Sequence, residues 1–275
     1  MAGLKGLICP HNGEHVDFSY CINHCSEKCH PLPLLIALNS TRPVVDKVYS
    51  VTEILNPPQV VYLKRNNDYY ATFDSLIWMT MGTAWHKIPE NAKWVLDKMG
   101  LGEMNRIEEG FSVKIGEYTL TGKLDYYDAI TKTLWDYKTM KVYPVKKLKA
   151  GDFSDSTYKD QLNMYRAYKF PEATSLKIEA IIKDWSTATQ HRDGVNPVET
   201  IDVPIMNIES VKNMAEGLVI EHGENQKDPS KITPCRVPED TWYNENPRSQ
   251  NYKVHLRCRD YCPVNYLCPQ FKEIK

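Results

Sequence analysis

The sequence predicts an α/β protein, a mixed central β-sheet flanked by helices, with a small cysteine-rich segment at each end. Three observations carry that expectation. Apolar residues recur at helical spacing from Asp74 onward, the period falls to two between Phe111 and Met140, and a helical stretch followed by an apolar run returns after Thr157. Helices and strands that alternate in this way pack as layers around one core. The eight cysteines lie outside the alternating region: Cys9, Cys21, Cys25 and Cys29 near the start, and Cys235, Cys258, Cys262 and Cys268 near the end.

Residues 1–31 are rich in cysteine and histidine with little apolar periodicity, which suggests a lobe organised by metal rather than by a core. The stretch PLPLLIALNS leads from it into the body of the protein. Ser50 and Glu53, three residues apart, form a capping box that opens a short helix, and Pro57 and Pro58 stop it. Ile77, Met81, Ala84 and Ile88 mark a helix that starts near Asp74. Pro89 lacks an amide hydrogen and ends or kinks that helix at about Ile88, and a second helix through NAKWVLDKMG stops at Gly100.

Val113 with Ile115, Tyr118 with Leu120, and Leu134 with Trp135 and Tyr137 fit three antiparallel strands separated by turn-forming residues. TYKDQLNMYRAYKF is an amphipathic helix with Tyr158, Leu162 and Tyr165 along one face, and LKIEAIIKDWS reads as a buried strand. VKNMAEGLVIEHGEN is a further helix, and VPEDTWYNENPRSQ a loop that joins the last cysteine group to the core. The expected division is a metal-binding lobe at 1–31, a core at 32–230 and a cysteine-rich segment at 231–275.

Hydrophobic residues make up 42% of the 275 and charged residues 25%, which excludes a disordered chain and calls for no membrane. The start, MAGLKGLICPHNGEH, lacks the apolar run of a secretory signal, so a cytoplasmic protein is expected, in a prokaryotic cell or a phage-infected host. A formal net charge of -1 means that any attraction to nucleic acid must come from a local patch.

Residues two apart on a strand share a face, so Asp136 and Lys138 set a carboxylate beside an ammonium while Trp135 and Tyr137 face the other way. Asp125, on the preceding strand, comes next to Asp136 if the short connection from Asp128 to Lys132 lets the two strands pair. Two close carboxylates repel each other unless a divalent cation lies between them, and hard oxygen ligands suit Mg2+ or Mn2+. Such an ion acidifies water and stabilises charge on a phosphodiester, while Lys138 can orient the water or neutralise the phosphate. The plain alternative is a solvated strand face with a surface salt bridge.

These residues resemble a known family. GKLDYYDAITKTLWDYKT, preceded by GTAWHKIPE and followed by QLNMY, is similar to the RecB-type branch of the PD-(D/E)XK nucleases, which includes CRISPR-associated adaptation nucleases with iron-sulfur clusters and phage-encoded relatives. The match spans roughly residues 78 to 185. By this resemblance His86 stands at the first-motif histidine, Asp125 at the second-motif aspartate, Asp136 and Lys138 at the D-x-K motif, and Gln161 with Tyr165 at the Q-x3-Y helix. It implies a restriction-endonuclease-like core that cleaves DNA with Mg2+ or Mn2+, with His86, Asp125 and Asp136 as metal ligands. The chain departs from the family at Pro89, where relatives continue the helix into a glutamate, and in using aspartate at position 136.

Read alone, His86 is equally a half-buried structural histidine, and Gln161 with Tyr165 a packed pair on one helix face. Lys141, Lys146, Lys147 and Lys149 are either a solvated charged loop or a track for the DNA backbone beside the site.

Cys258, Cys262 and Cys268, spaced C-x3-C-x5-C with a proline after the last, resemble the tail that holds a 4Fe-4S cluster in RecB-type nucleases; Cys235 or Cys29 supplies the fourth ligand. Four thiolates also suit Zn2+. Cys9, Cys21, Cys25 and Cys29, interspersed with His11, His24 and His30, read as a structural Zn2+ site. The functions in play are a DNA nuclease acting from an end or on single strands, a non-cleaving module that binds nucleic acid or a recombination or replication protein on the same fold, and a zinc-ribbon adaptor.

Overall fold

The computed structural model describes residues 2–27, 29–39, 43–154, 156–237 and 239–274. Its strands are β1 (Gly3–Ile8), β2 (His15–Asp17), β3 (Val48–Ser50), β4 (Asp68–Thr72), β5 (Asn105–Ile107), β6 (Gly110–Ile115), β7 (Tyr118–Lys123), β8 (Tyr126–Asp128), β9 (Thr133–Met140), β10 (Ser175–Ile182) and β11 (Val198–Asp202). Its helices are α1 (Phe18–Asn23), α2 (Leu32–Leu38), α3 (Val51–Ile54), α4 (Pro58–Asn66), α5 (Phe73–Lys98), α6 (Val142–Lys149), α7 (Tyr158–Tyr168), α8 (Thr187–Asp193), α9 (Ile208–Lys227) and α10 (Pro269–Ile274). They form two compact units, one of residues 1–48, 56–80 and 220–275, the other of residues 49–55 and 81–219.

The second unit contains the expected mixed sheet, five strands in the order β11-β10-β9-β8-β5. Leu176, Ile178, Ala180 and Ile182 alternate with less buried residues along β10 and are all in the core, which suits a strand with a neighbour on each side. β10 runs parallel to β9 and antiparallel to β11. A parallel pair needs a long crossover, and residues 141–174 supply it with α6 and α7. A core of Leu120, Leu134, Leu162, Met164 and Ile178, all under 3% exposed, holds sheet and helices together.

The three antiparallel strands expected between Phe111 and Met140 are instead two hairpins in different sheets. β6 and β7 pair with each other and join β3, whereas β8 and β9 belong to the five-stranded sheet. The chain leaves one sheet after Lys123 and enters the other at Tyr126, so Asp125 lies at the bend between them rather than inside a strand.

The break expected at Pro89 does not occur: α5 runs unbroken for 26 residues. Proline removes only the one hydrogen bond that its own amide would give to the Trp85 carbonyl, and the turns on either side keep theirs. The helix ends near the expected glycine. Gly100 has φ +71°, and the Leu101 amide donates to the Leu96 carbonyl at 2.9 Å, a Schellman closure that a Cβ at position 100 would disfavour. Ser50 and Glu53 make both bonds of their capping box around α3, while Pro58 opens α4 instead of only ending α3.

In the first unit β1 pairs with β2 antiparallel and with β4 parallel. Leu7, Phe18, Leu35, Leu38, Ala71 and Leu76 form its apolar cluster, with Cys9 and Cys21 packed against it. Residues 1–31 therefore take part in a hydrophobic core and are not ordered by metal ligands alone. Both cysteine-bearing ends fall in this unit together with residues 56–80, a division unlike the 1–31, 32–230 and 231–275 expected. Among the described residues no helix is long and apolar enough to cross a membrane.

Candidate active site

β9 delivers the first two groups. Asp136 is 2% exposed, and its neighbour on the same face, Lys138, places Nζ 2.6 Å from Asp136 Oδ2. β8 and β9 pair antiparallel with Tyr126 opposite Trp135, so Asp125, one residue before β8, arrives beside Asp136. The Tyr137 amide donates to Asp125 Oδ2 at 2.8 Å and fixes that carboxylate against the strand. His86, near the middle of α5, sets Nδ1 3.0 Å from Asp125 Oδ1. Gln161 on α7 donates from Nε2 to Asp136 Oδ1 at 3.2 Å and to the Tyr165 hydroxyl at 3.0 Å. All six residues singled out from the sequence as catalytic thus converge.

Charge and burial oppose each other here. Burial, with help from Asp125, raises Asp136 to a pKa of about 6 despite the pull of Lys138. Burial works to lower Lys138, but attraction to Asp136 and then to Asp125 outweighs it and holds the ammonium charged. The hydrogen bond to Asp125 raises His86 against the opposing effect of burial. Burial raises Tyr165 and keeps its hydroxyl neutral. The Lys138 contact with Asp136 Oδ2 lies off hydrogen-bond geometry, so that buried oxygen retains acceptor capacity.

One member of the cluster was missed in the sequence. Glu108, just past β5, brings a carboxylate oxygen into a group in which the ligand atoms of His86, Glu108 and Asp125 all lie within 4.8 Å of one another. Its amide donates to the Asp125 carbonyl at 3.0 Å, and its side chain pairs with Lys123. The only local signal is the position of residue 108 beside Asp125, and that depends on a three-residue pairing of β5 with β8. Two carboxylates and an imidazole in one group, with Asp136 on the neighbouring strand, are a hard, oxygen-rich donor set, the kind that accepts Mg2+ or Mn2+.

The lysines expected to form a DNA track lie on α6 rather than in a loop, and most are already paired. Lys146 is 2.8 Å from Asp193, Lys147 3.2 Å from Asp152 and Lys149 2.6 Å from Glu199, while Lys141 occupies the N-cap position. Their charge is largely answered within the protein, which weakens the proposed track.

Cys235, Cys258, Cys262 and Cys268 line one cavity in the first unit. Cys235, rather than the exposed Cys29, is the fourth thiol there. Gln59 Nε2 donates to Cys268 Sγ at 3.2 Å and the Phe271 amide does so at 3.4 Å, contacts that favour a thiolate. Burial, then Asp240 and the other thiols, push the Cys235 thiol up to about 12, and burial, then Cys262 and Cys268, push Cys258 up to about 11, so the quartet ionises readily only with a cation to hold.

At the amino-terminal end, His30 stacks on Phe73 with centroids 3.8 Å apart and His15 on Tyr70 at 4.7 Å. Among the described residues no three cysteine or histidine donors of this segment come within 4.8 Å of one another.

No family model and no curated protein matches the chain. Among solved structures, the crystal structure of SSO0001 is similar over 86% of this chain and 94% of its own, at 15% identity and a TM-score of 0.49.

Proposed function

We propose that this protein is a metal-dependent deoxyribonuclease that hydrolyses phosphodiester bonds, acting from an end or on single strands in phage or prokaryotic DNA processing. The observation that supports this reading is the meeting of Asp125, Asp136, Lys138 and His86, from a bend, a strand and a helix, around a buried carboxylate whose pKa is raised to about 6. Structural ion pairs seldom recruit a second carboxylate and an imidazole, because each added buried charge costs desolvation.

His86 and Asp125, which group with Glu108, would hold Mg2+ or Mn2+ together with Asp136, the ligand that the family resemblance adds; the ion supplies charge neutralisation for a phosphodiester and lowers the pKa of water there. The protein's own groups do the rest. Lys138, kept protonated by Asp136, donates to a phosphate oxygen or orients the attacking water. Gln161 holds Asp136 by Oδ1 and leaves Oδ2 for a ligand, and the Tyr165 hydroxyl fixes the Gln161 amide. For the cysteine quartet a 4Fe-4S cluster or Zn2+ is the proposed occupant.

The test is degradation of end-labelled single- and double-stranded DNA with Mg2+, with Mn2+ and with chelator. Metal-dependent cleavage by the wild type, lost in folded Asp125→Ala and Lys138→Ala proteins, is expected. Cleavage that persists in both variants removes the site assignment, and DNA binding without cleavage by the wild type leaves the binding-module reading.

A further inference from the structure

Gln59, in the first turn of α4, is 6% exposed. A carboxamide buried this far costs free energy unless it finds hydrogen-bond partners. Gln59 finds two, and both belong to cysteines of the quartet: Nε2 donates to Cys268 Sγ at 3.2 Å, and Oε1 accepts from the Cys235 amide at 3.3 Å. One side chain of α4 thus joins two cysteine-bearing segments that are far apart in the sequence. We propose that Gln59 is a positioning residue of the thiolate centre, which clamps Cys235 to Cys268 and stabilises charge on the Cys268 sulfur. The proposal rests on the metal-binding reading of the quartet and is independent of the nuclease reading.

The nature of the acceptor explains why the amide is placed there. A neutral thiol is a weak acceptor, so a buried N–H given to one is poorly satisfied, whereas a thiolate takes a charge-assisted bond roughly twice as strong. The Phe271 amide points at the same sulfur from 3.4 Å. Two donors on one sulfur draw electron density from it, and hydrogen bonds of this kind orient a metal ligand and tune the metal that it holds. Other carboxamides of the same cavity bond the surrounding backbone instead. Gln270 accepts from the Cys235 amide at 3.0 Å and donates to the Cys235 carbonyl at 2.8 Å, and Asn265 donates to the Cys258 carbonyl at 2.9 Å. Gln59 and Asn265 therefore separate an effect on the sulfur from an effect on the frame around it.

The experiment uses the full-length protein with the iron or zinc that it carries. Metal loss to excess chelator is followed by metal analysis, and the sulfur-to-metal charge-transfer band is recorded, on iron if the protein is brown or on Co2+ exchanged for zinc if it is colourless. Gln59→Met, close in length and without a donor, is expected to lose metal about 10- to 100-fold faster than wild type, the scale on which outer partners change metal affinity, and to shift the band to longer wavelength. Gln59→Glu keeps an oxygen for the Cys235 amide but not the N–H for the sulfur, and the same band shift is expected. Asn265→Ala is expected to speed metal loss and to leave the band in place. Thermal melting confirms that the variants fold. Metal held as long as in wild type by Gln59→Met, with the band unmoved, overturns the proposal; so does faster loss with no band shift in either Gln59 variant, since that is the behaviour of a frame residue such as Asn265. If the wild type holds no metal on the four cysteines, the quartet reading fails and the proposal with it, while DNA cleavage, measured separately, decides the nuclease reading.

Discussion

Gln161 donates a hydrogen bond from Nε2 to Oδ1 of Asp136 at 3.2 Å, across the space between α7 and β9. That bond orients a carboxylate with little other support, since Lys138 approaches the opposite oxygen off hydrogen-bond geometry. Gln161→Ala is therefore expected to lower kcat about 10- to 100-fold, the usual cost of removing an outer partner of a ligand, with a much smaller change in KM for DNA. Tyr165→Phe, which frees the Gln161 amide from its second partner, should lower kcat by less. An unchanged kcat in Gln161→Ala shows that the bond has no role in catalysis.

The pH dependence follows from the same carboxyl. Asp136 titrates at about 6 in the fold against 3.8 for its reference value, and His86 is also raised. Both are thus protonated at mildly acidic pH, when one cannot ligate and the other repels a cation. Mn2+ affinity and cleavage should both rise as pH increases through about 6. For the metal-free fold the sign is the reverse: a raised pKa gives stability that is present below the unfolded value and is lost as pH rises through the folded one. Melting curves from pH 5 to 8 should show this contribution falling without metal and recovering with Mn2+. Mn2+ affinity that stays flat from pH 5 to 8 contradicts the raised Asp136.

How much of this was legible depends on how local each signal is. Asp136 and Lys138 share a strand face, so a period of two set that pair together, whereas Gln161 and Tyr165, one turn apart on a helix, stood out only through the family resemblance. Glu108 had no such signal, because β5 and β8 are three residues long and its orientation depends on a positive φ that no glycine marks. The core of the first unit was hidden for a related reason. Leu7 and Phe18 stand among cysteines and histidines, and their partners Ala71 and Leu76 lie more than fifty residues away. Pro89 misled because its rule concerns one hydrogen bond, and a 26-residue helix can lose that bond while the turns on either side keep theirs.

The lysines of α6 yield a prediction about DNA. Since Lys146 and Lys147 already face Asp193 and Asp152, the Lys146→Ala/Lys147→Ala double variant should change DNA affinity less than about threefold and leave its salt slope nearly unchanged. A slope reduced by about two would instead show that both lysines contact phosphates.

The cysteine quartet should behave as one unit. Four thiols line a single cavity, and amide donors from Gln59 and Phe271 point at Cys268. Replacing either Cys235 or Cys268 by alanine is expected to remove the bound iron or zinc of this group and to lower Tm, measured by metal analysis and calorimetry. Brown colour with thiolate-to-iron absorbance in the wild type identifies a cluster, whereas a colourless protein with one zinc there identifies the ion. Full metal content in Cys235→Ala shows that this cysteine is not a ligand.

Gly122 provides a test of packing beneath the site. A Cβ there would overlap the Phe111 ring and come 3.0 Å from Cε1 of Tyr165, whereas at Gly110, the partner of Lys123 across the same hairpin, the nearest atom is a carbonyl oxygen at an ordinary 3.6 Å. Phe111 has little freedom to move aside, since it stacks on Tyr168 at 5.5 Å and meets Tyr165 edge-on at 6.3 Å. The strain of Gly122→Ala must therefore pass to Tyr165, and from its hydroxyl to Gln161 and Asp136. Gly122→Ala is expected to cost about 1–3 kcal/mol of stability, as overpacking does, and to lower cleavage in the folded protein, while Gly110→Ala stays close to wild type in both. Denaturant melts paired with cleavage rates measure the two effects, and equal behaviour of the two variants contradicts this route from the glycine to the active site.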